Sequence, residues 1–198
     1  MFVVQDLASM QIVKMANITK GSYVLDVCGA PGGKALQAAS AMENTGKVIV
    51  RDLTEIKVQK LQENINRSGF SNIYAEQFDA KILDEGSLQQ FDYVIADLPC
   101  SGLGVLGRKA DIKYRLKEQN LQDIVELQKE ILRTVWQYVK IGGYLVYSTC
   151  TIRREENEEM TEFIVKEFPL NLIEQKLILP SVAKNTDGFY MALLQRIN

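Results

Sequence analysis

Short apolar runs alternate along the chain with longer stretches in which apolar residues recur at helical spacing. The runs predict strands at Tyr23–Cys28, Lys47–Asp52, Ile73–Asp79, Tyr93–Leu98, Tyr144–Cys150 and Phe189–Ile197. The helical spacing predicts helices at about Gly33–Glu43, Glu55–Arg67, Leu121–Val139 and Glu155–Phe168. Strands separated by helices indicate βαβ units, so we expect an α/β fold with a mostly parallel sheet and helices on both faces. No repeat, low-complexity tract or linker interrupts this pattern, which predicts one domain over residues 1–198.

Acidic and sulfur-containing side chains stand where the predicted strands end. They are Asp26 and the residues that follow it to Gly33, then Asp52, Asp79, Asp97 with Cys100, and Cys150. In an open parallel sheet the ligand lies beyond the carboxyl ends of the strands, so we expect these residues along one binding rim. Packing alone does not explain acids and cysteines at so many strand ends.

The glycine-rich segment Cys28–Lys34 lies between the first predicted strand and the first predicted helix. A phosphate-binding loop does not fit, because the spacing is one residue short of GxxxxGK and Ala35 replaces the serine or threonine. A GxGxxG dinucleotide motif is absent from this segment. A loop that binds S-adenosyl-L-methionine fits better, with Asp52 for the ribose hydroxyls and Asp79 for the adenine amino group. The alternative is a tight turn with solvated acids at the strand ends.

The residue composition narrows the chemistry further. With 198 residues, 46% of them hydrophobic and 24% charged, the chain has the composition of an ordinary globular domain. Histidine is absent, which excludes Ser-His-Asp and Cys-His catalysis and histidine-ligated zinc. The three cysteines form no CxxC pair and support neither a disulfide framework nor a zinc site, so we expect no metal. A catalytic acid or base must then be a carboxylate, a lysine, a tyrosine or a thiol.

Hydropathy and charge bear on location and partners. No apolar run approaches the roughly 18 residues of a membrane span, and the N-terminus lacks the features of a signal peptide, so we expect a cytoplasmic protein. The net charge of −2 argues weakly against a stand-alone nucleic-acid binder, because such proteins usually carry an excess of lysine and arginine.

Cys100 and Cys150 lie at the ends of predicted strands, the first in Asp97-Leu98-Pro99-Cys100 and the second in Ser148-Thr149-Cys150. A single cysteine at a strand end is more often a small buried apolar residue than a nucleophile. Two at one rim indicate thiol chemistry on a pyrimidine. Carbon 5 of cytosine is a poor nucleophile, but a thiolate that adds to carbon 6 enables carbon 5 to attack a sulfonium methyl group. This reaction needs a cysteine, an acid near the base edge and S-adenosyl-L-methionine.

Several segments together resemble the RNA cytosine-C5 methyltransferases, most closely the bacterial 16S rRNA enzymes of the Sun/Fmu (RsmB-like) type. They are DVCGAPGGK at 26–34, DLPCSG at 97–102, YSTCTI at 147–152 with EEN after it, and DGFYMALL at 187–194, joined by VQDLAS at 4–9 and RKADIKYR at 108–115. The resemblance covers the whole chain. It implies a class I S-adenosylmethionine-dependent methyltransferase (Rossmann-like) fold, with a seven-stranded, mostly parallel sheet flanked by helices and an antiparallel last strand.

The resemblance also implies roles for the matching residues. Cys150 would be the nucleophile at carbon 6, Cys100 would assist release of the methylated product, and Asp97 would bind the base edge near the cofactor. The cofactor S-adenosyl-L-methionine would be held by Asp52, Asp79, Asp97 and the loop residues Cys28, Gly29, Ala30, Pro31, Gly32, Gly33 and Lys34. Because histidine is absent, we hypothesise that Lys34 activates the Cys150 thiol.

The chain departs from the usual pattern of this family in three places. Gly29 replaces alanine and Ala35 replaces threonine, two changes expected to matter little, and Lys109-Ala110 replaces His-Pro. The loop around this last change is the candidate RNA contact, through Arg108, Lys109, Lys113 and Arg115, with a solvated surface loop as the alternative. The acidic run 155–159 is interpreted as favourable electrostatics at a helix N-terminus.

Partners follow from the resemblance as well. The substrate would be RNA, with 16S rRNA favoured over tRNA by overall similarity alone, and the protein would be a monomer without metal or membrane partner. In this family RNA-binding segments precede the catalytic domain. We therefore interpret the chain as the catalytic domain alone, with most of the basic surface in a region that it lacks.

Three other functions stay open. A DNA cytosine-C5 methyltransferase would use Cys100 as its nucleophile, but the Thr-Cys motif and the lack of a large target-recognition insertion argue against it. An amino-group methyltransferase has an Asp/Asn-Pro-Pro-aromatic loop, and Cys100 stands where its second proline belongs. A catalytically silent protein that binds S-adenosyl-L-methionine and acts by interaction would have no need of both thiols.

Overall fold

A computed structural model describes residues 6–115, 117–183 and 186–198, and of Arg115 only the backbone. Six helices and seven strands are assigned within these ranges. In chain order they are α1 (Gln11–Ala16), β1 (Tyr23–Asp26), α2 (Gly33–Ala41), β2 (Lys47–Asp52), α3 (Glu55–Ser68), β3 (Ile73–Gln77), β4 (Phe91–Asp97), α4 (Ile112–Arg115), α5 (Glu118–Val135), β5 (Val139–Thr149), α6 (Glu158–Glu167), β6 (Leu170–Ile178) and β7 (Phe189–Arg196).

The strands form a single sheet in the order β3-β2-β1-β4-β5-β7-β6. The pairs formed by β1 to β5 are parallel, whereas β7 is antiparallel to both β5 and β6. The predicted fold class and the antiparallel last strand are thus confirmed. The chain proceeds outward in opposite directions from β1 and β4, so a crevice opens between their carboxyl ends, where doubly wound sheets bind ligands.

The hydrophobic core lies on both faces of the sheet. Val24 packs with Ile12, Leu61 and the α2 alanines on one face, while its neighbour Leu25 packs with the α5 and α6 side chains on the other. Neighbouring residues separate in this way because successive side chains of a strand point to opposite faces. None of the helices in the described ranges is long and apolar enough to cross a membrane.

The predicted elements differ from the observed ones mainly at their ends. Strands β1, β3, β4 and β5 stop one or two residues early, at Asp26, Gln77, Asp97 and Thr149. The long helix α5 begins three residues before its predicted start and ends at Val135, because β5 already begins at Val139. The last helix, α6, begins at Glu158 after a short 3₁₀ turn rather than at Glu155.

Three elements were absent from the apolar pattern, among them the four-residue helix α4. The short helix α1 contributes only a few buried residues, among them Ile12 and Val13. Strand β6 lies at the edge of the sheet, and its side chains from Asn171 to Leu177 are exposed. Without a buried face the strand has little of the alternation that marks a half-buried strand.

Candidate active site

The loop that follows β1 forms one wall of a crevice of about 210 Å³ at the carboxyl edge of the sheet. Six of the seven predicted loop residues line this crevice, the exception being Gly32. Its lining is Ser9, Cys28, Gly29, Ala30, Pro31, Gly33, Lys34, Leu36, Asn64 and Asp97. The Asn64 side chain on α3 donates a hydrogen bond of 2.8 Å to the carbonyl of Pro31, which supports the loop from outside. The structure therefore brings the predicted loop together with Asp97.

Two glycines allow the loop to lie close to the strands and to α3. A Cβ at Gly29 would stand 2.3 Å from Cγ1 of Val50 and 2.6 Å from Cγ of Asp26. Gly32 has a φ of +106°, and a Cβ there would stand 2.7 Å from a methyl carbon of Leu61. A methyl group at Gly29 does not fit beneath the loop in this conformation, so alanine at this position would require the loop or Val50 to move.

Asp26, at the end of β1, is buried behind the loop with both carboxylate oxygens lacking a hydrogen-bond partner of good geometry. Burial raises the pKa of Asp26 to about 7, against the opposing effect of the Lys34 charge. The charge of Asp97 raises it further, while the nearby amide of Cys28 lowers it. Buried polar groups are nearly always paired, so a carboxyl buried here without such a partner is unusual, and its burial favours the protonated form.

The two strand-end acids expected to hold the cofactor differ in their surroundings. Asp52 is buried, and its carboxylate accepts hydrogen bonds from the amides of Ala30 (3.2 Å) and Leu53 (2.8 Å) and pairs with Lys57 at 3.0 Å. Asp79 lies two residues beyond β3 and accepts a local bond of 2.9 Å from the amide of Lys81. The structure thus brings Asp52 to the loop, while the hydrogen bonds of Asp79 stay within its own turn.

Asp97 connects the crevice to the neighbouring strand. One of its carboxylate oxygens accepts a hydrogen bond from the Lys34 ammonium, and the other accepts one of 2.8 Å from the hydroxyl of Ser148. Burial lowers the pKa of Lys34, but the charge of Asp97 and its hydrogen bond raise the pKa above the usual value. Lys34 is therefore a fixed cation between the glycine-rich loop and the strand ends that carry Cys100 and Cys150, which we call the cysteine rim.

The two predicted catalytic cysteines meet at the ends of adjacent parallel strands. Asp97 on β4 is in register with Ser148 on β5, and each cysteine follows shortly after. The Sγ atoms of Cys100 and Cys150 are 3.1 Å apart, and the amide of Cys150 donates to Sγ of Cys100 at 3.3 Å. Residues separated by fifty positions in sequence thus form one hydrogen-bonded thiol pair.

The pKa values of the two thiols shift in opposite directions. The hydrogen bond from Cys100 lowers the pKa of Cys150, against the effects of burial and of Asp97, and the charges of Lys109 and Lys34 lower it further. The same hydrogen bond raises the pKa of Cys100, and burial raises the pKa of Cys28. Lys34 therefore contributes to the activation of Cys150 only after Cys100 and Lys109.

The basic residues expected to contact RNA do not share one environment. Arg108 pairs with Asp6 at 2.7 Å and with Asp187 at 3.2 Å, so its charge is neutralised within the protein. Lys109 and Lys113 are exposed, and the ammonium of Lys113 lies 4.8 Å from the ring centre of the exposed Tyr114. The side chain of Arg115 lies outside what the structure describes.

Several buried polar residues at the cysteine rim escaped the sequence reasoning. They are Ser101, Gln128, Tyr147, Thr151, Glu156 and Asn157. The interpretation of the acidic run as helix-end electrostatics is wrong for Glu156, whose carboxylate is inaccessible to solvent and accepts the amide of Ser101 at 2.8 Å. The signals were the segments DLPCSG, YSTCTI and EEN, which entered only through the resemblance, and Gln128 lies in none of them. Among the described residues, no group of three acidic, cysteine or histidine side chains is arranged to hold a metal ion.

The chain is similar in sequence and in fold to known proteins. A family model described as 16S rRNA methyltransferase RsmB/F matches residues 13–195. The chain is 41% identical over 167 residues to a protein named probable ribosomal RNA small subunit methyltransferase B from Bacillus subtilis (strain 168), covering 84% of this chain and 37% of that protein. It is 36% identical over 172 residues to ribosomal RNA small subunit methyltransferase F from Klebsiella pneumoniae (strain 342), and this match covers 85% of this chain and 36% of that protein. The chain thus spans little more than a third of the length of these relatives.

A solved structure supports the likeness in three dimensions. The crystal structure of NSun6 from Pyrococcus horikoshii with SFG has a TM-score of 0.88 and 28% sequence identity to this chain. The match covers 98% of this chain and 53% of that one.

Proposed function

Because the chain belongs to the RsmB/F family of 16S rRNA methyltransferases, we propose that it transfers a methyl group from S-adenosyl-L-methionine to carbon 5 of a cytosine in 16S rRNA. The observation that carries the proposal is the thiol pair at the ends of β4 and β5, with sulfur atoms 3.1 Å apart. A cytosine-C5 methyltransferase needs one thiol as nucleophile and a second group that assists its departure. The pair offers both, at the rim that also carries the crevice.

The residues around the crevice suit a cationic cofactor. When bound, S-adenosyl-L-methionine supplies an electrophilic methyl group on a sulfonium ion. The glycine-rich loop would approach it with its backbone, and Asp52, which lies against Ala30, is the acid nearest to the loop at the end of β2. The Asp26 carboxyl behind Gly29 is inaccessible to solvent and does not line the crevice, so it would act on a bound cation only through its charge.

Cys150 is the nucleophile in this proposal. Its thiolate would add to carbon 6 of the cytosine and form a carbon–sulfur bond, which gives carbon 5 the electron density to attack the methyl carbon. The new carbon–carbon bond would form as the bond between the methyl group and the sulfonium sulfur breaks, and S-adenosyl-L-homocysteine would leave. Carbon 5 then loses its proton to a base, the carbon–sulfur bond breaks, and Cys150 leaves as a thiolate. The lowered pKa of Cys150 favours both its attack and its departure.

Cys100 assists the departing thiolate through the hydrogen bond that it donates to Cys150. In this role Cys100 is the protonated thiol of the pair and Cys150 is the thiolate. Asp97 would bind the base edge, held in place by Lys34 and Ser148, and the exposed Lys109 and Lys113 would contact RNA phosphates.

The proposal is tested by incubating the protein with 16S rRNA and S-adenosyl-L-methionine that carries a labelled methyl group. The RNA is then digested, and its nucleosides are separated and identified. We expect the label in 5-methylcytidine and its loss in Cys150→Ala. Label on an exocyclic nitrogen, or in Cys150→Ala as strongly as in the wild type, would contradict the proposal.

A further inference from the structure

The backbone on both sides of Cys100 is held by two buried side chains. The amide of Gln128, on α5, donates a hydrogen bond of 2.9 Å to the carbonyl of Pro99, the residue before the cysteine. The carboxylate of Glu156 accepts one of 2.8 Å from the amide of Ser101, the residue after it. Gln128 also donates to Glu156 at 3.4 Å, so the two supports are joined.

The segment around Cys150 is held in a similar way by Asn157, the residue that follows Glu156. Oδ1 of Asn157 accepts a hydrogen bond of 2.5 Å from the hydroxyl of Thr149, the residue before the cysteine. Nδ2 of Asn157 donates at 3.1 Å to the carbonyl of Thr151, the residue after it. Adjacent residues, Glu156 and Asn157, thus support the two different cysteine loops.

Further bonds connect the supports to each other and to the sheet. The hydroxyls of Ser101 and Thr151 are 2.7 Å apart, which joins the two cysteine loops directly. The Tyr147 hydroxyl on β5 donates to the carbonyl of Glu156 at 2.5 Å and lies 3.2 Å from Oε1 of Gln128. Gln128, Glu156 and Asn157 are inaccessible to solvent. A buried carboxylate is costly unless paired, so such a network is retained only where its geometry is needed or its members are well satisfied.

We propose that Gln128, Glu156 and Asn157 are positioning residues, which fix the distance and orientation of the Cys100 and Cys150 thiols. The inference rests on the proposed function, since it assigns these residues a part in the same reaction. They bond to the residues before and after each cysteine, and none of those bonds involves a reacting atom. Their role is therefore to hold the Cys100 and Cys150 thiols within hydrogen-bond distance of each other.

The thiol hydrogen bond makes this support necessary. A thiol is a weak donor, and hydrogen bonds weaken steeply as their geometry deteriorates. A small displacement of either loop would remove the bond that lowers the pKa of Cys150 and assists its departure. Errors of about 1 Å in the placement of reacting groups can cost on the order of a hundredfold in rate.

The test uses single substitutions, each of which removes one of the supporting hydrogen bonds. Gln128→Met keeps the size of the side chain but removes the donor to Pro99. Its matched control is Thr134→Val on the same helix, which removes a buried bond of 3.1 Å to the carbonyl of Lys81, away from the cysteines. Thr149→Val removes the donor to Asn157, and Thr149→Ser restores it.

The first measurement is the rate of Cys150 alkylation by iodoacetamide as a function of pH, with each cysteine peptide followed by mass spectrometry. We expect Gln128→Met and Thr149→Val to shift the profile to higher pH and to slow alkylation at neutral pH by roughly threefold to tenfold. Thr134→Val and Thr149→Ser should follow the wild type. Because this measurement needs neither RNA nor methyl donor, it is independent of the proposed activity.

The second measurement is the fate of the covalent RNA complex under denaturing conditions. With Cys100 misplaced, Gln128→Met should release product slowly and accumulate the complex, while Thr134→Val should not. The inference is overturned if Gln128→Met and Thr149→Val alkylate and release product like Thr134→Val at equal loss of stability. If the wild type itself transfers no methyl group, the proposed function fails, and the alkylation profiles still decide the positioning roles.

Discussion

The crevice beside the glycine-rich loop and the cysteine rim meet at Asp97 and yet are built in opposite ways. Behind the crevice loop, the carboxyl of Asp26 is buried without a hydrogen-bond partner of good geometry. At the cysteine rim, the residues before and after both thiols are bonded to buried side chains, as Gln128 and Asn157 illustrate. The crevice loop thus covers a carboxyl without a partner, whereas the polar side chains at the cysteine rim are hydrogen-bonded to one another and to the cysteine loops.

The difference corresponds to two tasks. In the proposed function the crevice takes up and releases a ligand, so its loop need not be fixed by buried hydrogen bonds. Groups that carry out chemistry are most effective when they need no rearrangement during the reaction, which requires rigid surroundings. Lys34 and Ser148 connect the two regions, because both donate to Asp97.

The largest expected effect comes from filling the space beneath the crevice loop. Gly29→Ala places a methyl group 2.3 Å from Cγ1 of Val50, so the loop must move. We expect a loss of about 1–3 kcal/mol in the free energy of unfolding, measured by urea titration. The alkylation profile of Cys150 should be unchanged, because the cysteine rim is held separately.

The matched control for this change is the double variant Gly29→Ala/Val50→Ala, which removes the clashing methyl groups. It should be more stable than the sum of the two single changes predicts. A fully additive result would show that the loop is not packed against Val50 as described.

The second prediction concerns the unpaired carboxyl of Asp26. The pKa of Asp26 is about 7 in the folded protein, against an ordinary value of 3.8. At a pH between these two values, the folded protein therefore binds one proton more than the unfolded chain. Stability should therefore fall as pH rises through this window. Relative to Asp26→Asn, the wild type should lose about 2 kcal/mol between about pH 5 and pH 8.

This prediction is measured as the difference in free energy of unfolding between the wild type and Asp26→Asn at each pH. Subtraction removes the contributions of other titrating groups. Lys34 and Cys28, whose pKa values Asp26 raises, titrate above this pH window. A difference that stays constant with pH would show that the carboxyl is paired and charged in the folded protein.

The third prediction concerns the donor to Cys150. Cys100→Ala removes the hydrogen bond that most lowers the pKa of Cys150, so alkylation at neutral pH should slow by roughly tenfold. Cys100→Ser keeps a donor at the same place and should lose less. Equal rates in both variants would assign the activation of Cys150 to other groups.

The smallest expected effects separate the two lysines that influence Cys150. Lys109→Ala should slow alkylation of Cys150 a few-fold, and Lys34→Met somewhat less, because the charge of Lys109 lowers the pKa of Cys150 more. Lysine 109 is exposed, so added salt should reduce its effect, while that of the largely buried Lys34 should persist. If Lys34→Met slows alkylation more than Lys109→Ala at both low and high salt, the result would support the hypothesis that Lys34 activates Cys150.

The comparison also shows what the sequence can predict. The crevice loop, Asp97 and both cysteines follow from strand ends, because parallel strands carry their functional residues at one edge. The support by Glu156 and Asn157 does not, since a run of glutamates after two arginines has the same local pattern on a surface as in the interior. Strand β6 was missed for a related reason, as its exposed side chains show little of the alternation that burial produces.

The central claim is that Cys150 attacks the cytosine while Cys100 assists its release. It is tested most directly with 16S rRNA that contains 5-fluorocytosine, incubated with the protein and S-adenosyl-L-methionine and analysed on a denaturing gel. Fluorine at carbon 5 blocks loss of the proton, so the nucleophilic thiol stays attached to the RNA. The account predicts a covalent complex with the wild type and with Cys100→Ala, and none with Cys150→Ala. A complex that persists in Cys150→Ala and disappears in Cys100→Ala would contradict it.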